Sequence, residues 1–314
     1  MGLWTGKTSG PLKSVRRRIK NEEAVQDGAA HEQVWISLPM GKIVWLASYP
    51  KSGNTWLRAF LHNYIAQPET PYGINRLIDL SASESNALFY RKYDGRPATN
   101  YSIAEVQRMR PLVHRDLTQL HPDLVFVKTH NASLTVHGVP LCTPEFTQGA
   151  IYIVRDPRDV AVSYSHYTGW SLDRIIDFMG KSQAAIRSTK VQVFEMLGSW
   201  SIHVDLWTRH KSAKLHILRF EDMLEQPVES FGKVVAFLGD PPERARLNRA
   251  IAFSSFASLQ AQEAAHGYIA NSGDSTAPFF RKGEAGQWRE VLSTAQRLRI
   301  ERDHGEMMEK FRYR

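Results

Sequence analysis

The sequence predicts an α/β protein, with a central parallel sheet of about five strands covered by helices on both faces. Three observations carry that prediction. Short apolar runs at 42–47 (KIVWLA), 123–128 (DLVFVK), 150–154 (AIYIV) and 214–220 (KLHILRF) are continuous rather than alternating. Strands buried on both faces read this way, and such sheets are parallel. Between the runs, apolar residues recur with the helical period, so the chain winds strand, helix, strand. Finally, 314 residues of which 42% are hydrophobic suffice for one substantial core.

Taken in order, residues 1 to about 35 are polar and weakly periodic, and read as a flexible basic arm before a single domain over 36–314. Its cluster Arg16, Arg17 and Arg18 suits a solvated tail better than a membrane or nucleic-acid contact. The first helix spans 54–66, where Leu57, Phe60, Leu61, Tyr64 and Ile65 share one face. Asp156 is the expected N-cap of a second helix, with Pro157 as its first residue. A long helix is expected around 190–210, presenting Trp200, Val204 and Trp207 on one side, and another over 227–240. Segments 68–122 and 262–286 are less periodic and richer in Gly, Pro and Asn. Ligands of such sheets bind beyond the carboxyl ends of the strands, so lids and pockets are expected from these segments.

The 40 Lys and Arg against 32 Asp and Glu leave a formal charge of +8, which favours an anionic partner: a nucleotide, a nucleic acid or a membrane surface. One cysteine, Cys142, excludes an internal disulfide and a Cys-cluster zinc site, and suits a reducing compartment. There is no apolar run long enough for a transmembrane helix, and the first thirty residues lack a signal-type apolar block. Gly6 breaks the myristoylation pattern. A soluble, cytoplasmic protein is expected.

The stretch WLASYPKSGNTWLRAFLHNYI (45–65) runs from a strand through a short turn into the first helix. It is not a Walker A loop, because Lys51 and Ser52 precede Gly53 instead of following the last glycine. Its physics still suits an anion: Gly53 lets backbone N–H groups come close, and the helix N-terminus carries the positive end of the dipole. Lys51 adds charge, while Ser52, Asn54 and Thr55 add hydroxyl and amide donors. A plain strand-to-helix turn with a solvated lysine is the other reading. In FVKTH (126–130) an apolar strand delivers Lys128 and His130 at its carboxyl end, on one side by period-two geometry. In YIVRDPRDVAVSYSHY (152–167) Arg155 ends a strand and Ser163 lies about two turns into the helix. Arg155 suits either an anion clamp or a structural ion pair.

Together these stretches resemble the cytosolic-type sulfotransferase family. YPKSGNTW (49–56) is similar to its loop for the 5′-phosphosulfate of 3′-phosphoadenosine-5′-phosphosulfate (PAPS), and RDPRDVAVSY (155–164) to its 3′-phosphate segment. RKGEAGQW (281–288) is similar to its C-terminal R-K-G-x-x-G-x-W loop, and GSWSIHVDLW (198–207) and LRFEDM (218–223) match in the expected order. The resemblance spans about Trp45 to Trp288. It implies a three-layer, P-loop-like nucleotide-binding fold, with PAPS as donor, adenosine 3′,5′-bisphosphate (PAP) as product, and no metal.

The resemblance also assigns roles. His130 is the general base, Lys51 neutralises the leaving phosphate, and Lys128 holds a sulfuryl oxygen. Arg155, Ser163, Arg281 and Lys282 clamp the 3′-phosphate, with Gly283 letting the backbone close over it. Trp56 and Phe256 sandwich the adenine, although Trp56 also suits core packing, and Phe220 stands where a tyrosine often touches that base. Three departures are visible: Asn131-Ala132 follow the histidine where Leu-Pro is common, Gln287 replaces an aspartate, and the family's short dimer motif is not found, which leaves oligomeric state unknown. The expected acceptor is a small-molecule or lipid-like hydroxyl compound, not a nucleic acid. Phe89, Tyr90, Tyr93, Tyr167 and Trp170 either line an apolar acceptor pocket or belong to the core. Two rival functions are a nucleotide kinase and a non-catalytic nucleotide- or nucleic-acid-binding protein.

Overall fold

The computed structural model describes residues 41–209, 214–269 and 278–314; the basic arm and the expected start of the domain at 36 lie outside them. Strands β1 (Lys42–Ser48), β2 (Ser81–Ser83), β3 (Leu124–Thr129), β4 (Thr147–Val154) and β5 (Lys214–Arg219) form one sheet in the order β2-β3-β1-β4-β5. Every pairing is parallel. After β1 the chain fills one side with β2 and β3, then crosses back to lay β4 and β5 on the other. The direction of winding reverses at β1, and a ligand crevice opens beyond the carboxyl ends of strands at such a point.

The apolar runs of β1, β3 and β4 are buried on both faces as the sequence implied, whereas β5, at the sheet edge, is mostly half-buried, with Ile217 exposed. Ile43, Trp45 and Ala47 of β1 enter one core cluster while Val44 and Leu46 enter the other. β3 and β4 alternate in the same way, because side chains of a strand point to opposite faces in turn. Helices α1 (Asn54–Ala66), α6 (Pro227–Phe237) and α7 (Arg244–Phe253) cover the second cluster. Helices α2 (Ile103–Leu117), α3 (Pro157–Thr168), α4 (Leu172–Gly180), α5 (Trp200–Thr208) and α9 (Thr294–Lys310) cover the first. Helix α8 (Phe256–His266) packs on a smaller apolar cluster beside α1. No helix among the described residues is long and apolar enough to cross a membrane.

α1 has the expected bounds, and α3 starts as expected, with the Asp156 side chain accepting from the Arg158 N–H at 2.9 Å. Three expectations need correcting. The helix expected around 190–210 is only Trp200–Thr208: Gly198 is left-handed (φ 67°), Ser199 caps the helix, and Glu195–Met196 upstream pair antiparallel with Ala185–Ile186. The spacing of Trp200, Val204 and Trp207 is helical, but it extends no further back than the cap. The helix expected over 227–240 stops at Phe237. Phe220 leaves the strand and opens a short helix, Phe220–Glu225. The fifth strand, β2, is three small residues inside the weakly periodic stretch, too short and polar to show as an apolar run.

Candidate active site

The turn after β1 is tightly wound. Lys51 and Gly53 both take left-handed conformations (φ 66° and 103°). A β-carbon at Gly53 would sit 2.8 Å from the Phe220 ring, so this position accepts only glycine. Asn54 braces the turn rather than standing free as a donor: its Nδ2 donates to the Leu46 carbonyl at 2.8 Å and to Ser48 Oγ at 3.3 Å. Ser52 Oγ and Trp56 Nε1 are buried and have no hydrogen-bond partner. Thr55 is half-buried in the first turn of α1.

Lys51 is half-buried, with Nζ 3.8 Å from the Phe279 ring centre and 4.3 Å from that of Tyr167. Burial, and secondly the Arg155 charge, lower its pKa to about 7. Aromatic faces hold an ammonium by their quadrupoles, and an incoming anion would restore its charge.

The Arg155 guanidinium, just past the end of β4, ties two loops together. Arg155 Nη1 donates to the Lys51 carbonyl at 3.0 Å and Nη2 to the Glu284 carbonyl at 2.9 Å, with the group stacked 4.1 Å from the Phe220 ring centre. Its Nε is buried and unpartnered. It is thus neither a plain ion-pair residue nor an open clamp. The C-terminal loop is pinned further by Asp159, whose carboxylate accepts from the Gly286 N–H at 2.6 Å and the Trp288 N–H at 3.1 Å. Arg281 donates to the side chain of Gln287, so the glutamine fills its position as an acceptor. Gly283 is left-handed and lies directly under the Phe256 ring, leaving no room for a side chain. Trp56 and Phe256 border the same small cluster of Ala59, Ile74, Leu77, Leu259 and Phe280. Ser163 is half-buried on α3, and Lys282 is exposed.

β3 ends at Thr129, so His130 lies just past the strand and not on its period-two edge. It is anchored three ways. Its ring Nδ1 lies 2.8 Å from the Ser48 carbonyl, its N–H donates to Glu195 Oε1 at 3.3 Å, and its carbonyl receives His203 Nε2 at 3.0 Å. A carbonyl only accepts, so Nδ1 carries the proton and Nε2 is left as the basic nitrogen. Burial, then the nearby Lys128 ammonium, push the His130 pKa well below the ordinary range, so the ring is neutral near pH 7. The same Glu195 Oε1 lies 3.6 Å from Lys128 Nζ, which brings Lys128 and His130 together through a shared carboxylate. His203 is itself held by the Tyr152 hydroxyl, which donates to Nδ1 at 2.8 Å, and burial lowers its pKa to about 4.

Of the aromatic residues weighed for an acceptor pocket, Tyr167 reaches the site, over Lys51. Tyr90 is wholly buried, and Tyr93 donates to Asp116 at 2.6 Å. Phe89 and Trp170 pack against the main core cluster. Asp159, Glu195 and His203 were missed from the sequence. Asp159 had a signal, an acidic residue in the first turn beside Arg155; the other two reach the site only through the fold.

Beyond the carboxyl ends of three adjacent strands, an anion-suited turn, a neutral imidazole and a buried guanidinium thus converge. Such an arrangement suits the chemistry of a group-transfer enzyme. The family model for the sulfotransferase domain matches residues 42–312, and the chain belongs to that family. It is 28% identical over 284 residues to sulfotransferase 1 family member D1 of Rattus norvegicus, covering 84% of this chain and 82% of that one. It is 24% identical over 277 residues to sulfotransferase 1A1 of Canis lupus familiaris, with the same coverage. Its fold is like that of a retinol dehydratase solved with retinol and PAP, at a TM-score of 0.58 and 18% identity over 87% of this chain and 83% of that one.

Proposed function

We propose that this enzyme moves a sulfuryl group from PAPS to a hydroxyl or amine of a small-molecule acceptor by in-line transfer, with His130 as general base. The observation that carries the reading is the 2.8 Å contact between His130 Nδ1 and the Ser48 carbonyl. It commits the ring's proton to the backbone and leaves Nε2 to accept one, beside the turn that holds Lys51.

The residues present fit a nucleotide with two separate anionic groups. Ser52 Oγ, Arg155 Nε and Trp56 Nε1 are buried polar atoms without partners, an arrangement that costs roughly 1–3 kcal/mol each unless a ligand completes it. When bound, PAPS supplies a sulfuryl group activated by a phosphate leaving group. Lys51 and the N–H groups of the turn neutralise that phosphate, Lys128 holds a sulfuryl oxygen, and His130 takes the acceptor's proton. Arg155, Ser163, Arg281 and Lys282 hold the 3′-phosphate, with Gly283 beneath it. Trp56, Phe220 and Phe256 border the adenine. A fold neighbour was solved with retinol, a hydroxyl compound, which supports an apolar small-molecule acceptor here. A cytoplasmic location accords with the single cysteine.

His130→Ala should reduce turnover about 10²–10⁴-fold while leaving PAP binding nearly intact. Transfer from radiolabelled PAPS to an acceptor panel, with calorimetry of PAP, checks both. Persisting activity, or PAP affinity lost along with turnover, removes His130 as the base.

A further inference from the structure

We propose that Asn131 is a positioning residue for His130, acting by fastening the end of β3 to a buried carboxylate, Glu84. The inference rests on the sulfotransferase reading, and it concerns a position where this chain departs from the family's common leucine.

Asn131 follows the base directly, is wholly buried, and has every polar group in use. Its Nδ2 donates to Glu84, and its Oδ1 accepts the Met196 N–H at 2.7 Å. Its own N–H donates to Thr129 Oγ1 at 3.0 Å, and its carbonyl receives Trp207 Nε1 at 2.9 Å. The next peptide continues the seam, with the Ala132 N–H donating to the Met196 carbonyl at 2.8 Å. The residue before Met196 is Glu195, whose carboxylate holds both the His130 N–H and Lys128. One asparagine side chain therefore fixes the two groups that place the base: the turn that carries it and the neighbouring backbone that anchors it.

Glu84 is built as the fixed end. It is fully buried and ion-paired to Arg110, itself fully buried, and it also accepts from Thr129 Oγ1 at 3.3 Å and the Tyr90 hydroxyl at 3.4 Å. Arg110 Nε in turn donates to Gln107 at 2.8 Å. Burial raises the Glu84 pKa, but Arg110 and then His114 reverse this and bring it down to about 2. The anchor stays ionised across the working range of pH. A leucine at 131 could fill the space, yet it would leave the Met196 N–H without its acceptor and Glu84 short of a donor. The strand end would then be free to shift, and displacement of a catalytic group by about 1 Å can cost on the order of a hundredfold in rate.

Three variants test this: Asn131→Leu, Asn131→Asp, and Asn131→Asp combined with Glu84→Gln. Both single variants should lower kcat about ten- to a hundredfold, with PAP affinity and acceptor KM unchanged. Asn131→Asp should be the worse, because it sets two carboxylates against each other. The double variant, which restores an amide facing a carboxylate but takes from Arg110 its partner at position 84, should recover part of the loss. An unchanged kcat in Asn131→Leu overturns the proposal. So does a loss that tracks PAP affinity and thermal stability and is not rescued, since that is what a purely structural residue would give. Isotope-labelled histidine NMR adds a readout that needs no turnover: His130 should hold its proton on Nδ1 in the parent and exchange between tautomers in Asn131→Leu, and identical spectra overturn the proposal. A parent chain that transfers no sulfuryl group defeats the proposed reaction, while the NMR result still decides the positioning role. Should Asn131→Asp not fold, Asn131→Leu carries the test alone.

Discussion

The two halves of the site are held by different physics. The side proposed to face the anion, the turn at Lys51 and the loop at 281–288, rests on glycines, aromatic rings and the Arg155 guanidinium. Ser52 Oγ and Arg155 Nε are left there without protein partners. On the side of His130, Asn131 and Glu84 are wholly buried and bonded to each other, and Asn131 also binds the Met196 backbone. The first half leaves buried polar atoms that a ligand could complete, whereas Asn131 in the second has its polar groups bonded within the protein. Perturbations on the first side should therefore appear in affinity and charge, and those on the second in turnover with affinity preserved.

The largest effect expected on the anion side is from Lys51→Ala, which removes the charge at the leaving group and should lower kcat about 10²–10³-fold. If the rate falls only through weaker donor binding, the lysine belongs with the clamp and not with the chemistry. Next comes the second phosphate: PAP should bind about ten- to a hundredfold more tightly than AMP, since hydrogen bonds to charged groups contribute roughly 1.5–3 kcal/mol. Equal affinities by calorimetry would remove the clamp. Arg281→Ala should narrow this gap selectively. Arg155→Ala should weaken AMP as well, because it also releases the Lys51 turn from Glu284.

The smallest effect is one of pH. Lys51 titrates at about 7 in the free protein, lowered by burial and by Arg155. A bound anion favours the ammonium, so binding raises this pKa and takes up protons above pH 7. PAP affinity should accordingly fall as pH rises past about 7, by at most tenfold per pH unit. Calorimetry in buffers of different ionisation heat measures the uptake, and its absence above pH 7 would mean that Lys51 is not in contact with the nucleotide.

The difference between the halves also explains what was legible beforehand. The Lys51 turn, the Arg155 strand end and the R-K-G loop are each contiguous, and their chemistry is local: a glycine for a left-handed turn, a helix N-terminus, a cation beside it. Asp159 belongs to the same stretch, but its contacts with Gly286 and Trp288 lie far along the chain. Asn131 was visible only as a departure from a family pattern, with no account of its purpose. Glu84 and Arg110 lie within a segment of weak periodicity, and Glu195 within the stretch expected to be helical, and in both settings single charged residues look like solvated surface. The shortening of the helix expected at 190–210 has the same origin, because the strand pairing of Glu195 and Met196 depends on partners at Ala185 and Ile186.

The sequence by itself determined four of the five strands, the helices that follow β1 and β4, and the glycine-bearing turn after β1, because those depend on side-chain period and on backbone freedom within a few residues. Only the tertiary structure decided the order of the strands, the proton's place on His130 and the buried charge beneath Asn131. Each of these is a contact between residues far apart in the chain, and a buried carboxylate is stable only where the fold gathers its donors around it.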